Sequence, residues 1–388
     1  MSFTPKYSIF THSVGYHTAN HDLLSKLDAI AEAGIHGVEV FTDDLWYFAQ
    51  SAQFASILAS RESSALLTPP DSPLSQHSLL AEAKRQQQTK HYNAFGECSR
   101  SDAELELAAA EYLKTYCDGL GLEIVCLQPL RDVEGWVGAE DRRVAMERVR
   151  SRFAVMKALG TELLLICSQN TAAPATTGDL DSLVADFRYI SDMASDFTAQ
   201  TGFSIKVGFE ALSWGSHVDL WSQAWRVVQS TDRTNIGLIL DSFNTLAREF
   251  ADPCSPSGIQ EPEQSTRAAL QTSIDAITHV PGHKIFLLQI GDAKRMPQPL
   301  LPSPREGEPR PSRMIWSRSS RLFPCEAEQG AFMPVDAFVS AVVRAGYKGP
   351  WSIEVFNDSL NATGKEVPVE HATRARAGLD KLVEVTFA

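Results

Sequence analysis

The sequence lacks the features that mark zinc-thiolate, disulfide-rich and membrane proteins. Its six cysteines are scattered and none stands in a C-x-x-C pair, which argues against a zinc ribbon or a disulfide framework. No run of 18 apolar residues occurs, and the start MSFTPKYSIF lacks the basic stretch and long apolar core of a signal peptide. From these absences we expect a cytoplasmic protein with no membrane partner.

The charge balance is acidic rather than basic. Lysine and arginine number 35 against 48 aspartates and glutamates, so the formal net charge is −13. An acidic surface repels phosphate backbones, which argues against a nucleic-acid partner. A small anionic substrate is compatible with this charge, because a few local arginines can override the field of the whole protein.

Short apolar segments alternate with longer amphipathic helical patterns along the chain. Near-continuous apolar strands are typical of a parallel sheet that is buried on both faces. Eight strand-then-helix units predict an α/β fold, a (β/α)8 TIM barrel, with residues 1–388 forming one domain. A doubly wound sheet is the alternative, but THSVGYHTAN after the first strand lacks the glycine-rich phosphate loop that such a sheet predicts. The predicted strands cover residues 6–10, 37–41, 123–128, 162–167, 206–210, 236–241, 284–289 and 351–356.

Two segments interrupt this alternation. Residues 60–101 are rich in serine, glutamine and proline, and we interpret them as a surface insertion after the second strand. Residues 291–333 follow the seventh strand and contain seven prolines and a basic cluster. Connections that follow barrel strands lie on the catalytic face. We therefore expect the second segment to form a long, lid-like loop over an active site.

Polar residues stand at the ends of the last four predicted strands: Glu210, Asp241, Gln289 and Glu354. Each follows an apolar run, so each should be partly buried. A buried carboxylate is costly unless it is paired or bound to a metal. Ion pairing with a nearby arginine or lysine would explain any one of them. Four together predict one divalent-metal site with oxygen ligands, which Mg²⁺ or Mn²⁺ prefers and which Co²⁺ can also use.

Much of the chain resembles the xylose-isomerase-like barrels, and more narrowly the fungal 3-dehydroshikimate dehydratases of quinate catabolism. The resemblance covers nearly the whole chain apart from residues 60–101. Its most specific stretches are CLQPLRDVEG at 126–135, FEALSWGSHVDLW at 209–221, GLILDSFNTL at 237–246, ADPCSPSG at 251–258 and WSRSSRLFPCEAEQGAF at 316–332.

The resemblance implies a hydro-lyase that converts 3-dehydroshikimate, a small anionic cyclic substrate, into protocatechuate. The family's metal ligands match Glu210, Asp241 and Glu354, and Gln289 stands where relatives have glutamine or histidine. A glutamine here makes the ligand set all-oxygen, which favours a hard ion over zinc.

The resemblance leaves the general base open. Many superfamily members carry a histidine three residues after the metal-binding aspartate, but this chain has Asn244, which cannot accept a proton at neutral pH. Our candidates for the base are His217, then Glu39, then His12. A hydrogen-bonded structural role explains His217 equally well.

The substrate carboxylate requires a cation, and arginine offers a planar two-pronged donor. We expect Arg131 and Arg321 to supply it. The predicted substrate-binding set is Arg131, Arg321, Arg318, Ser317, Asn244 and Trp214.

Two other functions fit the same sequence features. A sugar or cyclitol isomerase or epimerase would use the same metal ligands, but a neutral sugar needs no arginine pair. A catalytically inactive barrel could serve as a binding or regulatory protein, although its metal ligands would then have no purpose. The sequence is compatible with a homo-oligomer and does not fix its order.

Overall fold

A closed barrel of eight parallel strands forms the centre of the computed structural model, which describes residues 4–65, 90–302 and 307–388. Every neighbouring pair of barrel strands is parallel, and the last strand pairs with the first. The strands are β1 (Tyr7–Phe10), β2 (Gly37–Phe41), β3 (Glu123–Leu130), β4 (Leu163–Cys167), β5 (Lys206–Glu210), β6 (Ile236–Asp241), β7 (Ile285–Ile290) and β8 (Trp351–Ile353). The predicted (β/α)8 TIM-barrel class is confirmed.

Helices surround the barrel and connect its strands. Several begin at side-chain caps: Asp22, Ser99 and Asp179 each accept a hydrogen bond from a backbone N–H three residues later. The helices within the described residues are α1 (Leu23–Glu32), α2 (Thr42–Ala49), α3 (Ala52–Ala65), α4 (Arg100–Leu120), α5 (Ala139–Leu159), α6 (Leu180–Thr201), α7 (Trp221–Thr231), α8 (Ser242–Glu249), α9 (Glu263–Ile277), α10 (Ser312–Ser320), α11 (Val335–Arg344) and α12 (Val367–Phe387). In these ranges no helix is both long enough and apolar enough to cross a bilayer.

The eighth strand is shorter than the sequence predicts. It ends at Ile353, so Glu354 lies just beyond it rather than inside it. The Glu354 backbone N–H still donates to the carbonyl of Ile290 at 3.0 Å, which fixes the residue at the mouth of the barrel. The third strand is longer than predicted, since it continues to Leu130.

The barrel interior is closely packed at its centre. Gly208 and Gly237 are register partners on β5 and β6. A Cβ atom at Gly208 would come within 2.4 Å of the Ile239 side chain, and one at Gly237 within 2.5 Å of the Phe286 ring. The side chains of Ile239 and Phe286 fill the space that these glycines leave.

The predicted insertion at 60–101 contains regular structure at both ends. Helix α3 extends to Ala65, and a short hairpin pairs His91–Asn93 with Gly96–Cys98. Asn93 closes the hairpin turn by accepting hydrogen bonds from two backbone N–H groups. The Arg148 guanidinium on α5 donates to the Ala94 carbonyl at 2.7 Å, so the hairpin is attached to the helical layer. Residues 66–89 lie outside the described residues.

The long connection after β7 is also built from regular elements where it is described. Its strand Asp292–Ala293 pairs with Arg321–Leu322, and α10 lies between them. Trp316 on α10 is 1% exposed and donates to the Lys294 carbonyl at 2.9 Å. Residues 303–306 of this connection lie outside the described residues. The buried tryptophan anchors α10 against the end of the barrel.

Candidate metal centre and active-site pocket

Four polar side chains from consecutive strands converge at the mouth of the barrel. Glu210 ends β5, Asp241 ends β6, Gln289 stands near the end of β7, and Glu354 follows β8. One carboxylate oxygen from each of the three acids lies within 4.8 Å of the other two. Asp241 and Gln289 are register partners, so strand pairing itself places them side by side. None of the four is more than 5% exposed.

Gln289 lies next to this cluster and contacts Glu354 through its amide nitrogen. Its Nε2 donates to Glu39 Oε2 at 2.9 Å and to Glu354 Oε1 at 3.3 Å. Its Oε1 is buried and has no hydrogen-bond partner among the described residues. A buried amide oxygen without a donor is costly unless something else satisfies it. The side chain is therefore held by its nitrogen with its oxygen free to bind a cation.

The carboxylates repel one another. Burial, reinforced by Glu354 and Asp241, raises the pKa of Glu210 well above its usual range. Burial also raises the pKa of Asp241 to about 7, although the Arg321 guanidinium opposes the shift. A divalent cation among them would favour their ionised forms and offset the cost of burying charge.

Arg321 supplies one positive charge to this cluster. Its Nη1 donates to Asp241 Oδ2 and to Glu354 Oε2, each at 2.9 Å, and to the Glu354 carbonyl at 3.2 Å. Its Nε donates to Ser317 Oγ at 3.1 Å, so Ser317 orients the guanidinium. One guanidinium cannot balance three carboxylates. The donor set of three carboxylates and one free amide oxygen therefore fits a hard divalent ion, with Arg321 in competition for two of the ligands.

Asn244 holds two of the acids in place. Its Nδ2 donates to Glu210 Oε1 at 2.8 Å and to Asp241 Oδ2 at 2.7 Å. Its Oδ1 accepts from the Ser213 backbone N–H at 3.0 Å, which fixes the orientation of the amide. In this structure Asn244 contacts the predicted ligands, and its relation to substrate stays a prediction.

Glu39 lies in a second layer of polar groups beneath the acids. Its carboxylate accepts hydrogen bonds from Gln128, Gln289 and Ser352. Burial, and then the nearby Glu354, raises the pKa of Glu39 to about 8. Gln128 Nε2 also donates to Glu354 Oε1 at 3.1 Å, so it connects the two layers. The sequence reasoning missed Gln128, although it is a polar residue near the end of an apolar strand like the others.

The two candidate histidine bases lie outside the pocket wall. His217 Nε2 is 2.8 Å from Thr176 Oγ1, in a contact between two loops. His12 is stacked on Tyr16 with ring centroids 3.9 Å apart, behind Phe41 and Phe356. Phe41 and Phe356 line the pocket, whereas His12 does not. The geometry therefore gives neither histidine direct access to a ligand in the pocket.

A pocket opens above the acids, with aromatic and basic side chains on its wall. Trp214 lies there and donates from Nε1 to Asn170 Oδ1 at 3.0 Å. The full lining is Phe41, Gln128, Pro129, Arg131, Cys167, Asn170, Glu210, Leu212, Trp214, Met314, Arg318, Arg321, Glu354 and Phe356.

The three predicted arginines differ in their partners. Arg131 donates from both terminal nitrogens to Asp43 Oδ2, at 3.2 and 3.3 Å. Arg321 is bound to the carboxylates below. Arg318 lies over the Phe356 ring at 4.4 Å and has no hydrogen bond or ion pair within the described residues. Burial, with Arg131 and Arg321 nearby, lowers the pKa of Arg318 to about 10. Arg318 is thus the arginine on the wall whose charge is not matched by a carboxylate in contact with it.

The chain is similar to a known barrel family over most of its length. The family model described as xylose isomerase-like TIM barrel matches residues 87–384. The 3-dehydroshikimate dehydratase of Neurospora crassa is 32% identical over 381 residues, covering 98% of this chain and 94% of that protein. The 3-dehydroshikimate dehydratase of Pseudomonas aeruginosa is 37% identical over 250 residues, covering 64% of this chain and 32% of that protein.

A solved structure adds support at the level of the whole fold. It is a xylose isomerase-like TIM barrel/4-hydroxyphenylpyruvate dioxygenase fusion protein, 26% identical with a TM-score of 0.65. The match covers 99% of this chain and 43% of that one. This chain thus spans nearly all of its fungal relative but only part of the fusion protein and of the bacterial relative. It belongs to the xylose isomerase-like TIM barrel family and, within it, to the family of the 3-dehydroshikimate dehydratases.

Proposed function

We propose that this protein is a divalent-metal-dependent hydro-lyase that dehydrates 3-dehydroshikimate to protocatechuate. One observation carries the proposal: an all-oxygen cluster of three buried carboxylates and a free amide oxygen lies beneath a pocket with three arginines on its wall. The relatives named for this activity support the choice of substrate. We expect the enzyme to act in the cytoplasm.

The metal, when bound, acts as a Lewis acid that polarises the substrate ketone and acidifies a proton on the neighbouring carbon. Glu210, Asp241, Glu354 and Gln289 would hold it, and Mg²⁺ or Mn²⁺ fits these ligands best. Asn244 and Gln128 keep the ligand carboxylates in fixed positions through hydrogen bonds. Such fixed ligands leave little reorganisation to occur during the reaction.

The substrate carboxylate, in our proposal, is bound by Arg318. This guanidinium faces the pocket without a carboxylate partner, so an anionic ligand would satisfy it. Arg131 lies on the same wall and is already paired with Asp43. It therefore adds positive potential to the pocket without having to leave Asp43. Trp214, Phe41 and Phe356 offer flat apolar surfaces to a six-membered ring and exclude water from it.

The group that removes the ring proton is, in our proposal, the Glu210 carboxylate. Neither His217, His12 nor Glu39 is on the pocket wall, whereas Glu210 is. Glu210 Oε1 accepts from Asn244, while its Oε2 receives no hydrogen bond from the described residues. A carboxylate can hold an ion with one oxygen and still use the other as a base, so this oxygen would take the proton from the ring carbon. The same proton then passes to the departing β-hydroxyl, which leaves as water, and transfer of one further ring proton to the ketone oxygen gives the aromatic product.

The test of the proposed function is a direct assay. Protein treated with a chelator is mixed with 3-dehydroshikimate and Mg²⁺, Mn²⁺ or Co²⁺, and the absorbance of protocatechuate is followed. We expect aromatic product only with metal present. Absence of product with all three ions would show that the substrate assignment is wrong.

The same assay separates the candidate bases. His217→Asn should retain most of the activity, because the ring contacts Thr176 rather than the pocket. A loss of more than about a hundredfold in kcat with unchanged metal affinity, the size expected for removal of a general base, would instead assign the base to His217.

A sugar isomerase or epimerase remains the alternative function on this barrel. A neutral sugar would leave the Arg318 charge unmatched in a buried pocket, which is unfavourable. Incubation with ketohexoses under the same metal conditions distinguishes the two functions. For an inactive barrel, the purified protein should contain no divalent metal and should give no product in either assay.

A further inference from the structure

Three side chains outside the strand-end cluster present unpartnered ligand atoms to one another. His12 lies in the short 3-10 helix Thr11–Val14, His17 in the next one, and Asp44 in the first turn of α2. His12 Nδ1, His17 Nδ1 and Asp44 Oδ1 are each buried, and none has a hydrogen-bond partner in the part of the chain that the structure describes. Each residue has a ligand atom within 4.8 Å of those of the other two, and His17 Nδ1 is 3.6 Å from Asp44 Oδ1.

The other oxygen of Asp44 is fully used. Asp44 Oδ2 accepts from Lys26 Nζ at 2.6 Å and from Thr11 Oγ1 at 2.8 Å. Lys26 is completely buried and donates also to the Gly15 carbonyl at 3.0 Å. The carboxylate is therefore held through one oxygen, while the other lies 3.6 Å from His17 Nδ1. Outer-shell hydrogen bonds of this kind orient a monodentate metal ligand.

The imidazole rings are held as well. His12 is stacked on Tyr16 at 3.9 Å between ring centroids, and His17 is stacked on Tyr47 at 3.7 Å. A surface cleft lined by His17, Asp44 and Tyr47 reaches this point from solvent. It gives an ion an entry path and leaves room for water as a further ligand.

We propose that His12, His17 and Asp44 bind a divalent transition-metal ion at a site separate from the strand-end carboxylates. Two imidazole nitrogens and one carboxylate oxygen suit Zn²⁺ or Co²⁺, whereas Mg²⁺ prefers oxygen alone. One ion satisfies all three unpartnered atoms at once. The positive Lys26 beside Asp44 weakens the attraction, so we expect this site to bind Mg²⁺ negligibly and to depend on the nitrogen ligands.

Such an ion would stiffen one wall of the pocket. The His12 ring lies 4.5 Å from the Phe41 ring and 5.6 Å from the Phe356 ring, measured between centroids. Both phenylalanines line the pocket. A metal that fixes His12 therefore also restrains these rings, without contacting the substrate.

Cobalt titration of the metal-free full chain by calorimetry, with visible absorption, tests the proposal. We expect two Co²⁺ ions per wild-type chain, with the stronger absorption bands of low-coordinate Co²⁺ from the nitrogen-containing site. The His17→Gln variant should bind one ion and lose those bands, and its Mg²⁺ binding should equal that of the wild type. The matched control is His36→Gln, an exposed histidine that immediately precedes β2 at the other end of the barrel, and it should bind two ions.

The outcome that overturns the proposal is the same Co²⁺ stoichiometry and the same absorption bands in the wild type and in His17→Gln. If His17→Gln does not fold, wild-type crystals soaked in CoCl₂ give the answer. An anomalous peak between His12, His17 and Asp44 supports the site. A peak only among Glu210, Asp241 and Glu354 shows that His12, His17 and Asp44 do not bind the ion, and the proposal is then wrong.

Discussion

Arg318 and Arg321 are three residues apart on the chain, yet the structure gives them different surroundings. Arg318 faces the pocket over Phe356 without a carboxylate partner, whereas Arg321 is bonded to Asp241 and Glu354. We therefore propose that substrate recognition and metal binding involve different arginines of this one segment. Mutations can separate the two roles.

We expect Arg318→Gln to lower kcat/KM for 3-dehydroshikimate by at least about tenfold, since a hydrogen bond to a charged group contributes roughly 1.5–3 kcal/mol. Metal affinity should stay near wild type, because Arg318 contacts none of the ligands. Arg318→Lys should recover only part of the loss, as a point charge lacks the planar fork. Arg310→Gln, an exposed arginine in the same connection, serves as the control. Full kcat/KM in Arg318→Gln would contradict the assignment.

Arg321→Gln, unlike Arg318→Gln, should change the affinity for the metal. Removing a cation that lies 2.9 Å from two ligand oxygens takes away a competitor, so Mn²⁺ affinity should rise by about tenfold or more if each lost bond contributes about 1.5 kcal/mol. Calorimetric titration measures this directly. Weaker Mn²⁺ binding in the variant would show that Arg321 supports the ligands instead of competing for them.

At the scale of elements, a buried ion pair joins α4 and α5. Arg152 donates to both oxygens of Glu106 at 2.6 and 2.9 Å, and both side chains are 1% exposed. Arg152→Ala leaves the Glu106 charge buried without its partner, so we expect a loss of about 3–5 kcal/mol in the free energy of unfolding. Denaturant titration measures this loss.

A second ion pair on α4 provides the control. Lys114 and Asp118 form an exposed pair four residues apart, and Lys114→Ala should cost under about 0.5 kcal/mol. The double variant Glu106→Leu with Arg152→Met should recover most of the stability, because it removes both charges. Equal stability of Arg152→Ala and Lys114→Ala would show that the pair is not buried in solution.

Local sequence patterns determine some features of these elements, and contacts between distant parts of the chain determine the others. The strand positions follow from local apolar runs, and the acids at their ends follow from strand order, so both could be predicted. The position of His217 away from the pocket could not, because it depends on how a loop folds back against Thr176. The ion-pair partner of Arg131 could not be predicted either, because Asp43 stands 88 residues before it in the sequence.

At the scale of the whole molecule, we expect buried carboxyl groups in the barrel to make the free energy of unfolding depend on pH. Asp241 and Glu39 have pKa values raised to about 7 and about 8 by burial, above the usual carboxyl value of about 4. A raised folded-state pKa means that the unfolded chain releases the proton more readily. Metal-free protein should therefore lose stability as the pH rises from about 4 to about 8.

Bound metal should reverse this trend, because it favours the ionised carboxylates. We expect Mn²⁺ to raise Tm by at least about 5 °C more at pH 8 than at pH 5, given that 1 kcal/mol shifts Tm by roughly 2–4 °C in a large domain. Scanning calorimetry with and without chelator gives the difference. An equal rise in Tm at both pH values would contradict the proposed link between metal and carboxylate ionisation.

The pairing of β8 with β1 also sets the order in which the molecule can be completed during synthesis. β1 spans Tyr7–Phe10, and one of its two neighbours is Trp351–Ile353, near the other end of the chain. A chain leaves the ribosome amino-terminal end first, so β8 is the last of the eight barrel strands to emerge. The nascent barrel must therefore stay open along one seam until β8 emerges. Glu354 arrives with that same strand, so barrel closure and completion of the carboxylate cluster coincide, and a half-made chain offers metal only an incomplete set of ligands.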